Sequence, residues 1–415
     1  MKEAQNKTQE KTSEKNTGIN KRELNKNQPQ RYSKLFLNKD CRHFIDYKPC
    51  KPHKKFGVTC ESCPYYEKTE KKILIINLEA IGDVLRTTAI LKPLKEKYKD
   101  CSITWLTTEK ASYILNNNPY VNKVLSIGYE ASLQLMIEEF DLVLNYDKAH
   151  EACALATIVK AKEKKGFVLG NDGMIKPIDD AAKYFLDIGI SDKLKRLSQK
   201  TQQEIVFDIT GIPYNHEHTI LNLPKEAVKF ADAFFKKHKF SEKDIVVGFN
   251  TGCSNRLFLD RKWTIDGFVQ LASMLHEKLG AKIMLLGGPN EAERNKEIMQ
   301  KIMQSSKAVV IIDSGSNNTL DEFSALLEKC SLLVTGDTLA VHIAAALDVP
   351  VVAIFGNVLA SEIELYGKGR KIQTDMECWG CYKYKCEFQK TCMERIKAAT
   401  VFNAVEDLLK EKGLL

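Results

Sequence analysis

The stretch ILIINLEAIGDVLRTTAIL, residues 73–91, does most to narrow what this chain can fold into. It opens on an unbroken apolar run, the mark of a strand covered on both faces. A glycine and an acid follow, Gly82 and Asp83, and then a helical pattern runs on through VLRTTAILKPLKEKY. The same order recurs along the chain. Strands are predicted at CSITWLT, KVLSI and FDLVLNYD, and helices at KASYILNNN and ACALATIVKAKEKK, with LSQKTQQEIVFDITGI closing this half. A second series begins with the helix KEAVKFADAFFKKHKF. It continues through the strands DIVVGFN, AKIMLLGG, VVIID, SLLVTG and VPVVAIFG, separated by helices, and ends on the helix AATVFNAVEDLLKEKG. Strands alternating with helices build a parallel sheet with helices on both faces. Two such series in 415 residues predict two doubly wound α/β domains, 71–220 and 221–377, joined near NHEHTILNLP.

Outside these domains the pattern changes. Residues 1–36 are rich in Lys, Glu, Asn, Gln and Thr and are expected to be a disordered tail. Residues 37–70 form a cysteine-rich segment, and 378–415 hold a second cysteine cluster and the last helix. No run of about 18 uncharged apolar residues exists to span a membrane. The N-terminal stretch lacks the apolar segment of a secretory signal, so a cytoplasmic protein is expected. The net charge of +8 is modest for this length. It suits phosphate-bearing ligands or peripheral contact with the anionic inner face of a membrane, through KPLKEKYK and KAKEKK; solvated helix faces explain these lysines as well. The tail has no Arg-rich run and no aromatic interleaving, so no nucleic-acid partner is expected.

Ligands of open parallel sheets bind beyond the carboxyl ends of the strands, where helix N-termini favour anions. Four junctions carry suitable chemistry. In NLEAIGDVLRTT, Asp83 is placed either to cap a helix or to take a proton from a hydroxyl; spacing alone does not choose. In VVGFNTGCSNRLFLDRKWT, Thr251 and Gly252 precede the cations Arg261 and Lys262, a set suited to a diphosphate or to an ordinary solvated loop. In IMLLGGPNEAERN, Gly287 permits close approach of a ligand, and Glu291 suits a ribose or the first turn of its own helix. In LLVTGDTLAVHIAAALD, Asp337 and Thr338 lead into a helix carrying His342 one turn later. There is no GxGxxG or GxxxxGK[ST] after a strand, no HExxH and no GxSxG, which argues against a dinucleotide oxidoreductase, a P-loop NTPase, a zincin and a hydrolase elbow.

With those residues in view, the chain resembles glycosyltransferase family 9, the ADP-heptose heptosyltransferases. The likeness rests on ILIINLEAIGDVLRTTAILKPLKEKYKDCSITWL, NPYVNKVL, RKWT and GDTLAVHIAAALDVPVVAIFGN, and spans roughly residues 72–410. The loop TGCSNRLFLDRKW is longer than the family pattern, and VLASEIELYG replaces the Pro-Thr often found after AIFGN. The resemblance implies a GT-B fold, two Rossmann-like domains facing a cleft. It further implies an ADP-heptose donor, an acceptor hydroxyl on a lipopolysaccharide-type saccharide or a protein, inversion at the anomeric carbon, and transfer without a metal. On that reading Asp83 is the base. Thr251, Gly252, Arg261, Lys262, Gly287 and Glu291 serve the donor, as do Asp337, Thr338, Leu339, Ala340, Val341 and His342.

Eight of the 12 cysteines lie in two clusters: Cys41, Cys50, Cys60, Cys63, and Cys378, Cys381, Cys386, Cys392. In a reducing compartment such clusters point to zinc or iron rather than disulfides. Spacing leaves open whether the two clusters form separate sites or one, and whether an iron–sulfur cluster forms. CWGCYKYKCEFQKTC also resembles the metal-binding cluster of some protein O-heptosyltransferases in the family. The competing functions are a metal-stabilised, non-catalytic scaffold and a redox protein.

Overall fold

The computed structural model describes residues 35–253, 261–306, 308–383 and 385–415. The expected tail therefore lies almost wholly outside the described residues, as does the stretch 254–260 of the loop before Arg261. The chain divides into two units. The smaller comprises, of the described residues, 35–39 and 44–66; the larger is Asp40–His43 with Glu67–Leu415. In the smaller, the helix Lys51–Phe56 stops at Gly57, which adopts the left-handed conformation (φ 68°), and Phe56 stacks on Tyr65 with centroids 4.6 Å apart.

The larger unit holds two six-stranded sheets. Its N-terminal lobe contains β1 (Lys71–Ile76), β2 (Cys101–Thr107), β3 (Lys123–Ser126), β4 (Glu139–Asn145), β5 (Lys160–Leu169) and β6 (Ile175–Pro177), in the order β3-β2-β1-β4-β5-β6. Its C-terminal lobe contains β7 (Val246–Asn250), β8 (Lys282–Leu286), β9 (Ile311–Asp313), β10 (Leu332–Gly336), β11 (Val351–Phe355) and β12 (Gly369–Gln373), in the order β12-β11-β10-β7-β8-β9. All pairings are parallel except that of β6 with β5. β1 is central because Ile73, Leu74, Ile75 and Ile76 are all fully buried, which only a strand covered on both faces can offer. Its two faces feed different cores. Ile73 and Ile75 join one that continues through Val84 and Leu85 to Val341, Ile343 and Phe355 of the second lobe, while Leu74 and Ile76 pack with Phe140 and Val143. The lobes thus share one continuous core.

Three local expectations need correction. KAKEKK is strand β5, not the end of a helix, which stops at Ile158. Pairing along β4 sets Lys160 near Glu139 (3.5 Å) and Lys162 near Asp141 (2.7 Å), and this outweighs the helix propensity of Ala, Lys and Glu. The helix after Asp83 is broken into Ile81–Thr87, a 3-10 turn Thr88–Ile90 and Leu91–Lys97. Pro93 explains the break, since it has no N–H to bond back into the preceding turn. Finally the structure adds β6, the helices Asp180–Ile190 and Asp192–Leu197, and β12; the two strands and the second helix are short, whereas Asp180–Ile190 is a clearly amphipathic helix that the sequence reading does not include. Among the described residues no helix is long and apolar enough to cross a membrane.

Candidate active site

The helix Ile81–Thr87 starts just beyond the carboxyl end of β1, and Asp83 occupies its third position. Both earlier readings of this acid have a structural counterpart. One carboxylate oxygen accepts the N–H of Ala80 (3.4 Å), closing the helix end, and the other is ion-paired with Arg86 one turn on. The carboxylate still keeps 37% of its side-chain surface exposed, so a substrate can reach it. The loop behind it is braced by Asp147 at the end of β4, whose Oδ2 accepts the N–H groups of Leu78 (2.8 Å) and Glu79 (3.2 Å).

Opposite lies the helix Leu339–Ala346, which begins beyond β10. The two helices approach so closely that a β-carbon on Gly82 would stand 2.8 Å from Cδ2 of His342. His342 is buried, and burial together with the Arg86 guanidinium holds its imidazole far below the usual range, so it is neutral at pH 7. Asp337 pairs with Arg261 at 3.5 Å. Burial pushes the Asp337 carboxyl up, while Arg261 and Arg86 pull it down. Thr338 caps the helix by accepting the Ala340 N–H at 3.2 Å, and receives Asn250 Nδ2 at 3.0 Å. Ala340 and Val341 are buried in the shared core, so their side chains pack and only their backbone faces the helix end.

The remaining predicted donor residues gather at the ends of β7 and β8. Thr251 is buried with its hydroxyl on Asn295 Oδ1 (2.5 Å), and its carbonyl accepts Arg294 Nε (3.0 Å). Glu291 caps Gly288 N–H at 3.1 Å, and a β-carbon on Gly252 would fall 2.2 Å from its Oε1, so only glycine fits beside it. Gly287 is similarly closed, with Glu291 Cβ 2.7 Å from an added β-carbon. Arg261 and Lys262 are half-buried. Trp263 of RKWT is structural: it is buried, and its Nε1 donates to the Ile396 carbonyl at 2.9 Å.

Several residues at this junction were not anticipated. Arg86 had a readable signal, three residues after Asp83 on the same helix face. Lys148, directly after Asp147, sits with Nζ 3.6 Å from the Phe185 ring centroid and donates to the Phe185 carbonyl at 3.3 Å. Burial and nearby Lys195 push its ammonium down to about 8, against the pull of Asp83, Asp147 and Glu362. Glu362 pairs with Lys195 (3.2 Å), and its carbonyl accepts Arg86 Nη1 (3.5 Å). Lys148, Lys195 and Glu362 come from segments without a motif, and Tyr382 stands between the cysteines of CWGCYKYKC; only the fold unites them.

The cysteine clusters differ in setting. Cys50, Cys60 and Cys63 belong to the smaller unit and Cys41 to the larger, where it bridges to Lys68. Cys378, Cys381, Cys386 and Cys392 line one small cavity, of about 20 Å³, with Gly356, Asn357 and Lys383. Burial pushes the Cys392 thiol up to about 11, and the charges of the other three add to the shift. The Oδ1 of Asn357 is buried there without a hydrogen-bond partner. Among the described residues, however, no three His, Cys, Asp or Glu side chains are already drawn into an arrangement that could hold a metal.

Two lobes with parallel sheets, and an acid opposite a Gly-Asp-Thr helix start, fit the GT-B architecture of glycosyltransferases. Residues 131–392 match the model of glycosyltransferase family 9 (heptosyltransferase), and the chain belongs to that family. It is 25% identical over 300 residues to the lipopolysaccharide core heptosyltransferase OpsX of Haemophilus influenzae, covering 70% of this chain and 81% of that one. The fold is similar to a family 9 glycosyltransferase of Veillonella parvula (TM-score 0.69, 21% identity, 83% of this chain and 99% of that one). It is also similar to the dodecameric iron-containing heptosyltransferase TibC in complex with ADP-D-beta-D-heptose (TM-score 0.51, 13% identity, 84% and 78%).

Proposed function

We propose that this protein is an inverting heptosyltransferase that moves a heptose from ADP-heptose to a hydroxyl of a saccharide or a protein, with Asp83 as the base. The observation that carries the reading is the accessible Asp83 carboxylate, fixed by Arg86 and set across the lobe junction from Asp337, Thr338 and His342. An acceptor hydroxyl is a poor nucleophile, so Asp83 takes its proton as the new bond forms. The oxygen attacks the anomeric carbon opposite the diphosphate, which leaves with its charge held by Arg261, Lys262 and the positive end of the helix Leu339–Ala346. His342, being neutral, lines this helix without adding charge. Glu291, Gly252 and Gly287 form the wall beside the nucleotide, and Thr251 holds that wall through Asn295. Cations in these positions remove the need for a metal in the transfer step.

The four-thiol cavity fits a separate structural ion. Four thiolates are the donor set of tetrahedral zinc or iron. Burial is the main cause of the raised Cys392 thiol, and the charges of Cys386, Cys381 and Cys378 add to it; a bound cation would offset that repulsion. Cys378, Cys381, Cys386 and Cys392 would close on it and cross-link the segment before the last helix; TibC is iron-containing by its description. Cys50, Cys60 and Cys63 of the smaller unit, and Cys41 of the larger, are further thiols able to bind such ions. Peripheral contact with an anionic membrane face draws less support, because Lys160 and Lys162 are paired with Glu139 and Asp141. Co-sedimentation with anionic vesicles tests it.

The deciding experiment measures ADP release from ADP-heptose, with and without acceptor saccharide or cell-extract protein, for wild type and Asp83→Asn. Acceptor-dependent release that Asp83→Asn loses while still binding ADP supports the assignment. Full activity in Asp83→Asn refutes the role of the base, and stabilisation by UDP sugars in place of ADP-heptose refutes the donor.

A further inference from the structure

Tyr382, directly after Cys381, reaches away from the thiols into the lobe junction. Tyr382 adopts a left-handed backbone (φ 52°), an uncommon conformation for a tyrosine. Asn357 imposes it from both sides: its carbonyl accepts the Tyr382 N–H at 2.9 Å, and its Nδ2 donates to the Lys383 carbonyl at 3.3 Å. The Tyr382 hydroxyl accepts the Leu359 N–H at 3.2 Å and donates to Glu362 Oε1 at 3.1 Å. One oxygen therefore ties together the two ends of the 3-10 turn Ala360–Glu362.

That turn is where the N-terminal lobe takes hold. The Glu362 carbonyl accepts Arg86 Nη1 (3.5 Å), its carboxylate pairs with Lys195 (3.2 Å), and the Ser361 hydroxyl donates to the Ser198 carbonyl (3.4 Å). Lys195 also lies over the Tyr382 ring, 3.9 Å from its centroid. Arg86 is the residue that pairs with Asp83.

We infer that Tyr382 is a positioning residue for the transfer reaction: by stapling the turn 360–362 it holds Arg86 on Asp83 and keeps the two lobes in register. The cysteine segment is by this route a working part of the acceptor side of the site. The inference rests on the assignment of Asp83 as the base. The residues assigned to the donor, 251–252, 287–291 and 337–342, share none of these hydrogen bonds; Arg86 and Glu362 reach Asp337, and Arg86 reaches His342, through charge alone, so loss of the Tyr382 hydroxyl should fall mainly on turnover.

The test is Tyr382→Phe, which keeps the ring and removes only the hydroxyl. The loss of one buried hydroxyl bridge predicts about a three- to tenfold lower kcat with an unchanged KM for ADP-heptose. Hydrogen exchange on the full chain supplies a readout apart from activity. The amides of Leu359 and Glu362–Ile363 should exchange several-fold faster in Tyr382→Phe, and those of 339–343 should not change. An unchanged kcat, or exchange at 359–363 equal to wild type, overturns the inference. A rise confined to the donor KM also overturns it. Asp83→Asn is assayed alongside. If it keeps full activity, the base assignment fails and this inference falls with it; if it is inactive while Tyr382→Phe is normal, only the positioning role is wrong.

Discussion

Gly82→Ala probes the contact between the lobes with a single methyl group. Gly82 lies in the helix Ile81–Thr87 with ordinary backbone angles, so alanine fits the conformation itself. On propensity alone the change would stabilise the helix by about 0.5–1 kcal/mol. The added carbon would, however, stand 2.8 Å from Cδ2 of His342, with Nε2 at 3.5 Å. Ordinary carbon–carbon contact begins at about 3.5 Å, so the neighbour must yield by roughly 0.7 Å. His342 has little freedom to yield, because it is buried between the two lobes. Forcing one methyl group into a packed core costs about 1–3 kcal/mol. The net expectation is a loss of about 0.5–2 kcal/mol in urea unfolding. Transfer should fall by more than this implies, because Asp83 is the next residue and a shift of about 1 Å at a reacting group costs up to about a hundredfold. His342→Ala supplies the control for stability. In that background the clash is gone and Gly82→Ala should become neutral or stabilising, giving a coupling energy of about 1–3 kcal/mol between the two sites. If Gly82→Ala destabilises equally in both backgrounds, the contact with His342 is not the cause. If it changes neither stability nor turnover, the close approach of the two helices does not matter.

Asp83→Asn should lower turnover by about a hundred- to ten-thousandfold, the usual worth of a positioned base, with the dissociation constant for ADP unchanged by calorimetry. Lys148→Met tests a buried cation: the Lys148 ammonium is pushed down to about 8 from 10.5, so the unfolded chain binds more protons between those values. The wild type should therefore gain stability relative to Lys148→Met as pH rises from 8 to 10.5, by up to about 3 kcal/mol, read from paired melts; the opposite slope would refute the burial. Phe402→Ala empties a fully packed position in the last helix and should cost about 3–5 kcal/mol, read by denaturant unfolding. Removing metal with a strong chelator should lower the melting temperature of wild type and leave Cys378→Ser/Cys381→Ser unchanged, with metal content followed by elemental analysis.

Both halves of the fold can be read from the sequence because long apolar runs such as ILIINL and VPVVAIFG admit few alternatives to buried parallel strands. Misreadings arose where local composition and tertiary pairing disagree. KAKEKK has the residues of a helix but pairs as a strand with β4. The site is half legible on the same grounds. Asp83, Asp337, Thr338 and His342 stand at strand–helix junctions, where the chain order itself predicts a ligand edge. Lys148 also stands at such a junction, between β4 and the helix His150–Ile158, but nothing in its residue type marks it; Lys195, Glu362 and Tyr382 belong to none. They meet only because the turn 360–362 is brought against Arg86 and Ser198, a fact of assembly that no local pattern encodes.

Motif residues divide in the same way once their burial is known. Trp263 and Val341 lie in the most recognisable stretches, yet both are packed, one holding the Ile396 carbonyl and the other inside the core shared by the lobes. Arg86, three residues past Asp83 in the opening motif, touches both Asp83 and the opposing lobe. A residue that pairs with a solvent-accessible acid and also bonds across the lobe junction has two tasks, and one charge serves both. The contact with Asp83 lies within its own helix, whereas the bond to the Glu362 carbonyl exists only where the two lobes meet. The orientation of the Asp83 carboxylate is thereby tied to the packing of the second lobe against the first.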